Sequence, residues 1–422
     1  MSLLATQFRE KMLKDKDIDM QREAQTYVGY PTGFPVLDFT NGQIVHVKNT
    51  EKGMDFNYFS VGITNGSFNS VIGRSQSGKT TGMWQFAWNM IAPFENASIF
   101  ADNTEAGIDW PRISNVVGVP EETLKERIIS RDRGITAENF YRRIKEIHDM
   151  KLENPEKYQY DTGKLDNFGN PIIEFEPTIY IIDSIAMLMP EKYASEEELS
   201  GQMSTTAAAK VVTQILRTII PMIKSANIIV FAVNHIMQQI NANPMMHKRS
   251  QLPFLSPDER LPRGDTLVLL SNTIMRFVDN KKLKEDEKYK IAGAMVDVYF
   301  EKTRSSRPHQ AVTMVFDYVT GFDPLLSTFV FMKEKTNRIK GSGVGMYVDD
   351  FTDVKFSMGN FKDKYLSNEE FRMRFDKAVS EELVKIPKAS NADFAKEKKI
   401  MSNLYDLCMN QVPSVENNAE EI

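Results

Sequence analysis

The stretch Gly73-Arg74-Ser75-Gln76-Ser77-Gly78-Lys79-Thr80 has the spacing G-x-x-x-x-G-K-[ST]. A short β-rich apolar run, residues 68–72, precedes it. Residues 81–92 follow it and place four apolar side chains on one helical face: Met83, Phe86, Ala87 and Met90. The sequence therefore predicts a strand, a glycine loop and a helix in succession. In that order the loop N–H groups and the helix N-terminus converge on one place, where they form an anion site.

The residue types in this loop are those that bind a nucleoside triphosphate. Gly73 and Gly78 allow a tight turn and close approach of the backbone to phosphate. Lys79 supplies positive charge for the β and γ phosphates, and the Thr80 hydroxyl is placed to bind Mg²⁺. We predict ATP and Mg²⁺ as cofactors, with these contacts: Gly73, Arg74, Ser75, Gln76, Ser77, Gly78, Lys79, Thr80 and Thr81.

Composition limits the other possibilities. The chain has 422 residues, 41% hydrophobic and 26% charged, which is typical of a large globular protein with one main domain and smaller lobes. It has no apolar run of eighteen residues and begins with a polar segment, so we expect neither a membrane span nor a secretory signal. The single cysteine, Cys408, excludes an intrachain disulfide and favours a cytoplasmic protein. Because the net charge is −5, DNA binding would need a local basic surface.

Two further buried strands are predicted to end in acids. Residues 97–101 run into Asp102-Asn103-Thr104-Glu105, where Glu105 is the candidate base for the water that attacks the γ-phosphate and Asp102 is the alternative. These acids could instead cap the helix that starts near Ile108. The β-rich run Thr178–Ile182 ends in Asp183, which beside a phosphate loop is the expected Walker B acid and, with Thr80, the expected Mg²⁺ ligand.

A third strand, residues 228–233, ends in Asn234 and His235. A polar pair at that edge of the sheet would face the γ-phosphate and could report whether it is present. The long loop that follows, residues 240–265, has four prolines and no apolar periodicity, which is typical of a functional or disordered loop. Its basic and glycine residues favour nucleic-acid binding by Lys248, Arg249, Arg260, Arg263 and Gly264.

The helix predicted over residues 203–225 has two distinct faces. Val212, Ile215, Leu216 and Ile219 follow the spacing of a buried face. A second stripe has either DNA-phosphate chemistry or the character of a solvated face: Lys210, Thr213, Gln214 and Arg217. The loop before this helix, residues 190–202, is open and acidic in the middle.

Later strands are predicted at residues 272–278, 294–301 and 310–316, and a closing helix at 324–335. The middle strand ends in Glu301-Lys302-Thr303-Arg304, whose two cations could reach a phosphate held by a neighbouring subunit. We expect residues 151–177 to be a surface excursion and the glycine-rich residues 340–347 to be a linker. Residues 1–26 indicate either a helix that contacts another subunit or a loosely ordered terminus.

Taken in order, these parts resemble the RecA family of recombinases, most closely its phage UvsX-type branch. The resemblance covers residues 32–332. It rests on five stretches: Gly-Arg-Ser-Gln-Ser-Gly-Lys-Thr-Thr at 73–81, Glu105 at its strand end, Ile-Ile-Asp-Ser-Ile-Ala-Met-Leu at 181–188, Ala-Val-Asn-His at 232–235 and Glu-Lys-Thr-Arg at 301–304. The acidic first loop and the long segment 41–67 depart from the family pattern.

The resemblance implies an activity and roles for individual residues. It implies ATP-dependent filaments on single-stranded DNA that search for homology and exchange strands with duplex DNA. Glu105 takes the place of the catalytic glutamate, while Lys302 and Arg304 resemble cations that reach the ATP of the adjacent subunit. Asp109 and Trp110 lie near the adenine-contact segment. Lys210, Thr213 and Arg217 fall where the family contacts the DNA backbone, and loops 190–202 and 236–265 correspond to its two DNA loops.

We therefore predict an α/β, RecA-type P-loop ATPase core with a mostly parallel central sheet. The expected division is an N-terminal oligomerisation arm (1–31), the core (32–339) and a small helical C-terminal lobe with an acidic tail (340–422). The favoured function is a DNA-dependent ATPase acting as a recombinase, with itself, both forms of DNA, and single-strand-binding and loader proteins as candidate partners. The alternatives are a DnaB-type ring helicase and a binding protein that uses nucleotide only to assemble.

Overall fold

The computed structural model describes residues 27–104, 108–193, 202–238, 250–284, 291–349 and 351–387. Several predicted features lie outside these ranges: the arm up to residue 26, Glu105, most of the first DNA loop, Lys248, Arg249 and the acidic tail.

The strands of the described part are β1 Gly29–Tyr30, β2 Gln43–Asn49, β3 Met54–Ser60, β4 Ile63–Thr64, β5 Phe68–Gly73, β6 Ser98–Asn103, β7 Ile128–Arg131, β8 Gln159–Leu165, β9 Pro171–Phe175, β10 Thr178–Asp183, β11 Ile228–His235, β12 Met237–Gln238, β13 Glu259–Arg260, β14 Thr273–Leu283, β15 Gly293–Thr303, β16 Gln310–Asp317, β17 Gly321–Asp323, β18 Ile339–Lys340, β19 Met346–Val348 and β20 Phe351–Phe356.

The helices complete the described chain. They are α1 Pro35–Thr40, α2 Lys79–Ile91, α3 Trp110–Val117, α4 Glu121–Arg127, α5 Ala137–Glu153, α6 Pro155–Tyr158, α7 Gln202–Ser225, α8 Gly264–Leu270, α9 Pro324–Glu334, α10 Met358–Ser367 and α11 Glu369–Leu383. Of these helices, none combines the length and the apolar character needed to cross a bilayer.

Nine strands form the central sheet in the order β17-β16-β15-β14-β5-β11-β10-β6-β7. The strands from β14 to β7 pair in parallel, whereas β15, β16 and β17 extend the sheet by antiparallel pairing. The predicted α/β class with a mostly parallel sheet is therefore confirmed. The carboxyl ends of β5, β6, β10 and β11 meet at one edge, because parallel neighbours run in the same direction.

Both faces of the sheet are covered, as the continuous apolar runs predict. Ile179 and Ile181 of β10 lie in the same apolar cluster as α2, whereas Tyr180 and Ile182 lie in the cluster of α5 and α7. Successive side chains of a strand point to opposite faces, so one apolar strand anchors both layers of helices. The predicted apolar faces of α2 and α7 are confirmed, since Met83, Phe86, Val212 and Leu216 are fully buried.

Residues 151–177, which we expected to be a surface excursion, form regular structure. They contain the end of α5, helix α6 and the hairpin of β8 and β9, which meets the hairpin of β2 and β3. The Lys48 N–H donates to the Asn167 carbonyl (3.1 Å), and the Tyr58 hydroxyl donates to the Leu165 carbonyl (2.7 Å). The long segment 41–67, which had no predicted role, is therefore largely the partner of this second hairpin.

The predicted linker at residues 340–347 is wrong. The segment contributes β18 and β19, which with β20 form a three-stranded antiparallel sheet. The domain boundary predicted between residues 339 and 340 falls inside β18. Phe356 and Phe361, in β20 and α10, belong to the apolar cluster of the central sheet, and the Phe361 ring lies 4.7 Å from that of Phe329 in α9. Glycine supplies turns here, as Gly341 does at φ 79°, rather than flexibility.

Candidate nucleotide site

The glycine loop joins β5 to α2 at the edge where the parallel strands end. Gly78 is the N-cap of α2 and has a left-handed backbone (φ 84°), which side chains disfavour. A Cβ on Gly78 would lie 2.9 Å from the Phe322 ring, and one on Gly73 would lie 2.6 Å from the Phe277 carbonyl oxygen. Close packing therefore favours glycine at both positions, as the turn does at Gly78.

Lys79 is buried within this loop, with only 3% of its surface exposed. Its Nζ donates to the carbonyl of Arg74 at 2.6 Å, and the Ser77 hydroxyl donates to the same oxygen at 2.9 Å. The ammonium group is therefore held against the inner side of the loop, at the N-terminus of α2. An anion at this place would receive the lysine charge together with the backbone dipoles.

Thr80 and Asp183 meet where α2 begins and β10 ends. The Thr80 hydroxyl donates to Asp183 Oδ2 at 2.6 Å. Hydroxyl and carboxylate oxygens are hard donors that suit Mg²⁺, which in nucleotide sites takes its remaining ligands from phosphates and water. The described residues hold no cluster of three or more His, Cys, Asp or Glu side chains placed to bind a metal. The residues present thus fit a nucleotide-bound Mg²⁺ better than an all-protein metal centre.

Asp102 does not fit the role of the alternative catalytic base. Its carboxylate is buried, accepts a hydrogen bond from Tyr180 and forms an ion pair with Arg143 of α5. Burial raises its pKa, although Tyr180 and Arg143 oppose that rise. Its register partner on β10 is Ile182, one residue short of Asp183, and alternation along the strand directs Asp102 to the opposite face from Asn103.

Thr104 fixes the chain where β6 ends, a role that the sequence did not reveal. Its N–H donates to the Asp183 carbonyl (2.6 Å), and its hydroxyl accepts from the Ser184 N–H (2.8 Å). These bonds attach the residue before Glu105 to the strand end that carries Asp183. Only the acids in this segment gave a chemical signal in the sequence, because a threonine at a strand end is common.

His235 lies beside the glycine loop, as its place at the end of β11 predicts. It is the register partner of Gly73, and the next N–H, that of Ile236, donates to the Gly73 carbonyl at 3.0 Å. Asn234 differs from the expectation. Its amide donates to the Pro262 carbonyl at 2.7 Å, so it ties the strand to the chain before α8 rather than facing a phosphate.

Two clefts flank the loop. A small one of about 130 Å³ is lined by Thr80, Thr81, Asn103, Asp109 and Arg112, among others. Asp109 lines this cleft and also caps α3, where it accepts from the Arg112 N–H. Trp110 packs on the core, and Lys125 Nζ lies 5.5 Å from its ring centre.

Sequence reasoning missed Arg112, whose guanidinium donates to the carbonyls of Tyr318 and Val319. No local pattern indicates a contact across 206 residues.

The larger cleft, of about 660 Å³, opens on the other side of the loop. It is lined by loop residues 74–77, by Glu259 of the predicted second DNA loop, and by Arg276 and Tyr318. Its volume lies within the range of ligand pockets in proteins.

Lys302 and Arg304 lie far from this chain's own loop. In the sheet, Thr303 of β15 pairs with Thr273 of β14, and Thr273 pairs with Asn69 of β5. Asn69 lies four residues before Gly73, where the loop begins. Four residues of strand correspond to about 13 Å. The two cations donate to carbonyls near the end of α8, Lys302 Nζ to Val268 (2.5 Å) and Arg304 Nη2 to Leu269 (3.1 Å). Burial and the Arg304 charge lower the pKa of Lys302.

The candidate DNA residues divide into surface and interior positions. Lys210 and Arg217 of α7 and Arg260 of β13 are exposed, and Thr213 is half-buried, its hydroxyl 3.2 Å from that of Thr266. Arg263 instead donates to the Leu188 carbonyl at 2.6 Å, and burial lowers its pKa. Gly264 is buried at the start of α8. Arg263 therefore ties the end of the loop to Leu188.

The structure thus brings Lys79, Thr80, Asp183 and His235 to one edge of the sheet and places Lys302 and Arg304 near the opposite edge. Comparison of the sequence with models of protein families finds no match, and comparison with curated proteins finds none. The function is therefore inferred from the site.

Proposed function

We propose that this chain is an ATP-dependent recombinase of the RecA type, which forms filaments on single-stranded DNA and catalyses homologous pairing and strand exchange. The observation that carries this proposal is that the phosphate-loop residues and the cation pair lie at different edges of the sheet, which is the arrangement expected of a phosphate site shared between two subunits. Lys79, Thr80 and Asp183 lie at the carboxyl edge, while Lys302 and Arg304 lie about four residues of strand away from the loop. Such a site is completed when one subunit's cations meet the loop of the next.

The loop edge would bind and orient ATP. Lys79 and the N–H groups at the start of α2 hold the β and γ phosphates, and Thr80 and Asp183 hold the metal ion. Bound Mg²⁺ supplies positive charge next to the phosphate oxygens. Glu105 follows Thr104 and takes the proton of the attacking water, while a bond forms from water oxygen to the γ phosphorus and the bond to the bridging oxygen breaks. The products are ADP and phosphate.

The opposite edge would make hydrolysis depend on assembly. Lys302 and Arg304 are held at the end of α8, so their charges are presented in a fixed place. From the adjacent subunit they would stabilise the negative charge that develops during phosphoryl transfer, as an arginine finger does. ATP bound between subunits would then favour the assembled form, and hydrolysis would release it.

DNA would bind through a local basic surface. Lys210, Thr213, Arg217 and Arg260, together with Lys248 and Arg249 of the second loop, would contact backbone phosphates. The second loop is connected to the nucleotide site through β11, because His235 ends that strand beside Gly73 and the loop follows it. The state of the phosphate site could thereby alter the DNA loop.

The same separation of the phosphate loop from the cation pair also suits a ring helicase of the DnaB type, which is the first alternative. A binding protein that uses nucleotide only for assembly is the second alternative and predicts negligible hydrolysis. Electron microscopy of the protein with single-stranded DNA and ATP separates the first two, because a recombinase gives filaments and a helicase gives closed rings. Rings that unwind duplex DNA would overturn the proposal. ATP turnover measured on the same samples tests the second alternative, the binding protein, which predicts negligible hydrolysis.

A further inference from the structure

One ion pair connects the phosphate loop to the chain that carries the predicted second DNA loop. Arg74 Nη2 lies 2.9 Å from Glu259 Oε1, with 66% of the arginine side chain exposed and 10% of the glutamate side chain exposed. The other carboxylate oxygen of Glu259 accepts from the Ser256 N–H at 3.1 Å. Glu259 is therefore held by the backbone of Ser256, and it in turn positions the more exposed arginine.

Each partner belongs to a segment with a distinct role. Arg74 is the second residue of the glycine loop, and its carbonyl is the acceptor for Lys79 Nζ. Glu259 lies on β13, where it is the register partner of Gln238 on β12. β12 begins two residues after His235, and the two short strands form a ribbon that brackets the segment between them in sequence, which includes Lys248 and Arg249.

The charges around Glu259 favour its ionised form. Burial opposes ionisation, but the Ser256 N–H, Arg74 and Arg276 outweigh it and lower the pKa of the carboxyl. Arg276 has its own partner in Glu301, so Arg74 is the cation that directly contacts Glu259. A nucleotide phosphate on the loop would be a second anion within the same small region, and it would compete with Glu259 for the Arg74 guanidinium.

We propose that Glu259 is a positioning residue that couples the phosphate loop to the DNA-loop ribbon through Arg74. When phosphate draws Lys79 and Arg74 toward itself, the pull on Glu259 changes, and with it the placement of β13 against β12. By reciprocity, DNA that shifts the ribbon changes the affinity of the loop for nucleotide. This inference rests on the proposed function and adds a route separate from His235.

The coupling is expected to be small, because exposed ion pairs are weak and correspond to factors of about fivefold or less. The test compares the affinity for a fluorescent single-stranded oligonucleotide with and without a non-hydrolysable ATP analogue. Glu259→Gln should reduce the ratio of the two affinities by about two- to fivefold. Glu259→Asp, which keeps the charge, should retain more of the ratio.

The matched control is Asp258→Asn, which removes an exposed charge from the neighbouring residue and should leave the ratio unchanged. A structural role alone would lower the melting temperature of Glu259→Gln without changing the ratio. If Glu259→Gln shows the same ratio as wild type and Asp258→Asn, the inference is overturned.

A second measurement needs no DNA and so separates this inference from the proposed function. Hydrogen exchange of the amides in β12 and β13 should change when the ATP analogue binds wild-type protein, and the change should be lost in Glu259→Gln. Protein that binds the analogue but not DNA would overturn the recombinase proposal alone, and exchange would still decide this one. An exchange shift that persists in Glu259→Gln would overturn the coupling role.

Discussion

The Thr80 hydroxyl donates a 2.6 Å hydrogen bond to Asp183 Oδ2 across 103 residues of sequence. The contact joins the two motifs that are most informative in the sequence, the glycine loop and the acid that ends β10. Neither motif specifies the other, and only the parallel sheet brings them to one edge. It therefore gives the most direct test of the metal-binding half of the site.

Removing the Thr80 hydroxyl should lower Mg²⁺-dependent ATP turnover. Thr80→Val keeps the size of the side chain but removes the hydroxyl, and we expect a loss of at least about 10-fold. Thr80→Ser keeps the hydroxyl and should retain most of the activity. The measurement is turnover as a function of Mg²⁺ concentration. Equal activity of the valine and serine variants would remove Thr80 from the metal site.

Mixed subunits test whether Lys302 and Arg304 act in trans. Arg304→Ala and Lys79→Ala should each abolish turnover alone, but a mixture should regain some, because about a quarter of random interfaces then combine an intact loop with an intact cation pair. The control replaces Arg304→Ala with the double variant Lys79→Ala/Arg304→Ala, which should stay inactive in the mixture. Failure to regain turnover at any ratio would contradict the assignment.

Two arginines of the second loop, Arg260 and Arg263, should respond differently to substitution. Arg260 is exposed, so Arg260→Ala should weaken DNA binding and reduce the salt slope of log affinity by about 1. Lys333→Ala, an exposed change on α9, is the control for nonspecific charge loss. Fluorescence anisotropy over a range of salt concentrations measures both. An unchanged slope for Arg260→Ala would exclude it from the phosphate contacts.

Arg263, by contrast, donates to a backbone carbonyl inside the fold. Arg263→Gln should lower the free energy of unfolding by about 1 to 3 kcal/mol, because the Leu188 carbonyl loses a charged donor. Denaturant titration measures this change. Full stability combined with a reduced DNA salt slope would reverse the assignment and return Arg263 to the DNA surface.

Asp38 should make stability depend on pH. Burial raises its pKa to about 7, despite the hydrogen bonds that it accepts from the N–H and hydroxyl of Thr32. Because the folded-state pKa lies above that of the unfolded chain, the folded protein binds more protons between the two values. Its contribution is therefore present at low pH and is lost as pH rises toward 7, with a slope of at most about 1.4 kcal/mol per pH unit.

Asp38→Asn removes this titration. Its free energy of unfolding, measured by denaturant titration between pH 4 and pH 7, should fall less steeply with rising pH than that of wild type. Asp132→Asn, at an exposed position, is the control and should follow the wild-type slope. Parallel slopes for wild type and Asp38→Asn would show that Asp38 does not titrate in this range.

The glycine loop and the buried strands could be predicted because their signals are local. A fixed spacing specifies the loop of Gly73 and Gly78, and continuous apolar runs specify β10 and β11, whose two faces are both buried. The position of Asp183 at the carboxyl edge of the sheet could then be predicted, because neighbouring parallel strands end at the same edge. The prediction of Glu105 as the base remains a prediction, because that residue lies outside the described chain.

What the sequence did not reveal depends on contacts between distant segments. The hairpin of β2 and β3 meets residues more than one hundred positions away, as in the contact of Tyr58 with Leu165, and neither segment indicates its partner. Arg263 is a basic residue in a basic loop, as a DNA contact would be, but its guanidinium donates to the Leu188 carbonyl. A count of charges cannot distinguish these two roles. Asp102 and Asn103 are neighbours in sequence, yet alternation along β6 sends their side chains to opposite faces.

Formation of joint molecules tests the central claim most directly. Wild-type protein is incubated with ATP, Mg²⁺, circular single-stranded DNA and a homologous linear duplex, and joint molecules are resolved on a gel. The proposed function predicts joint molecules that require both homology and ATP, and their absence with Lys79→Ala. Duplex unwinding without joint molecules, or no joint molecules despite DNA-stimulated ATP hydrolysis, would contradict it.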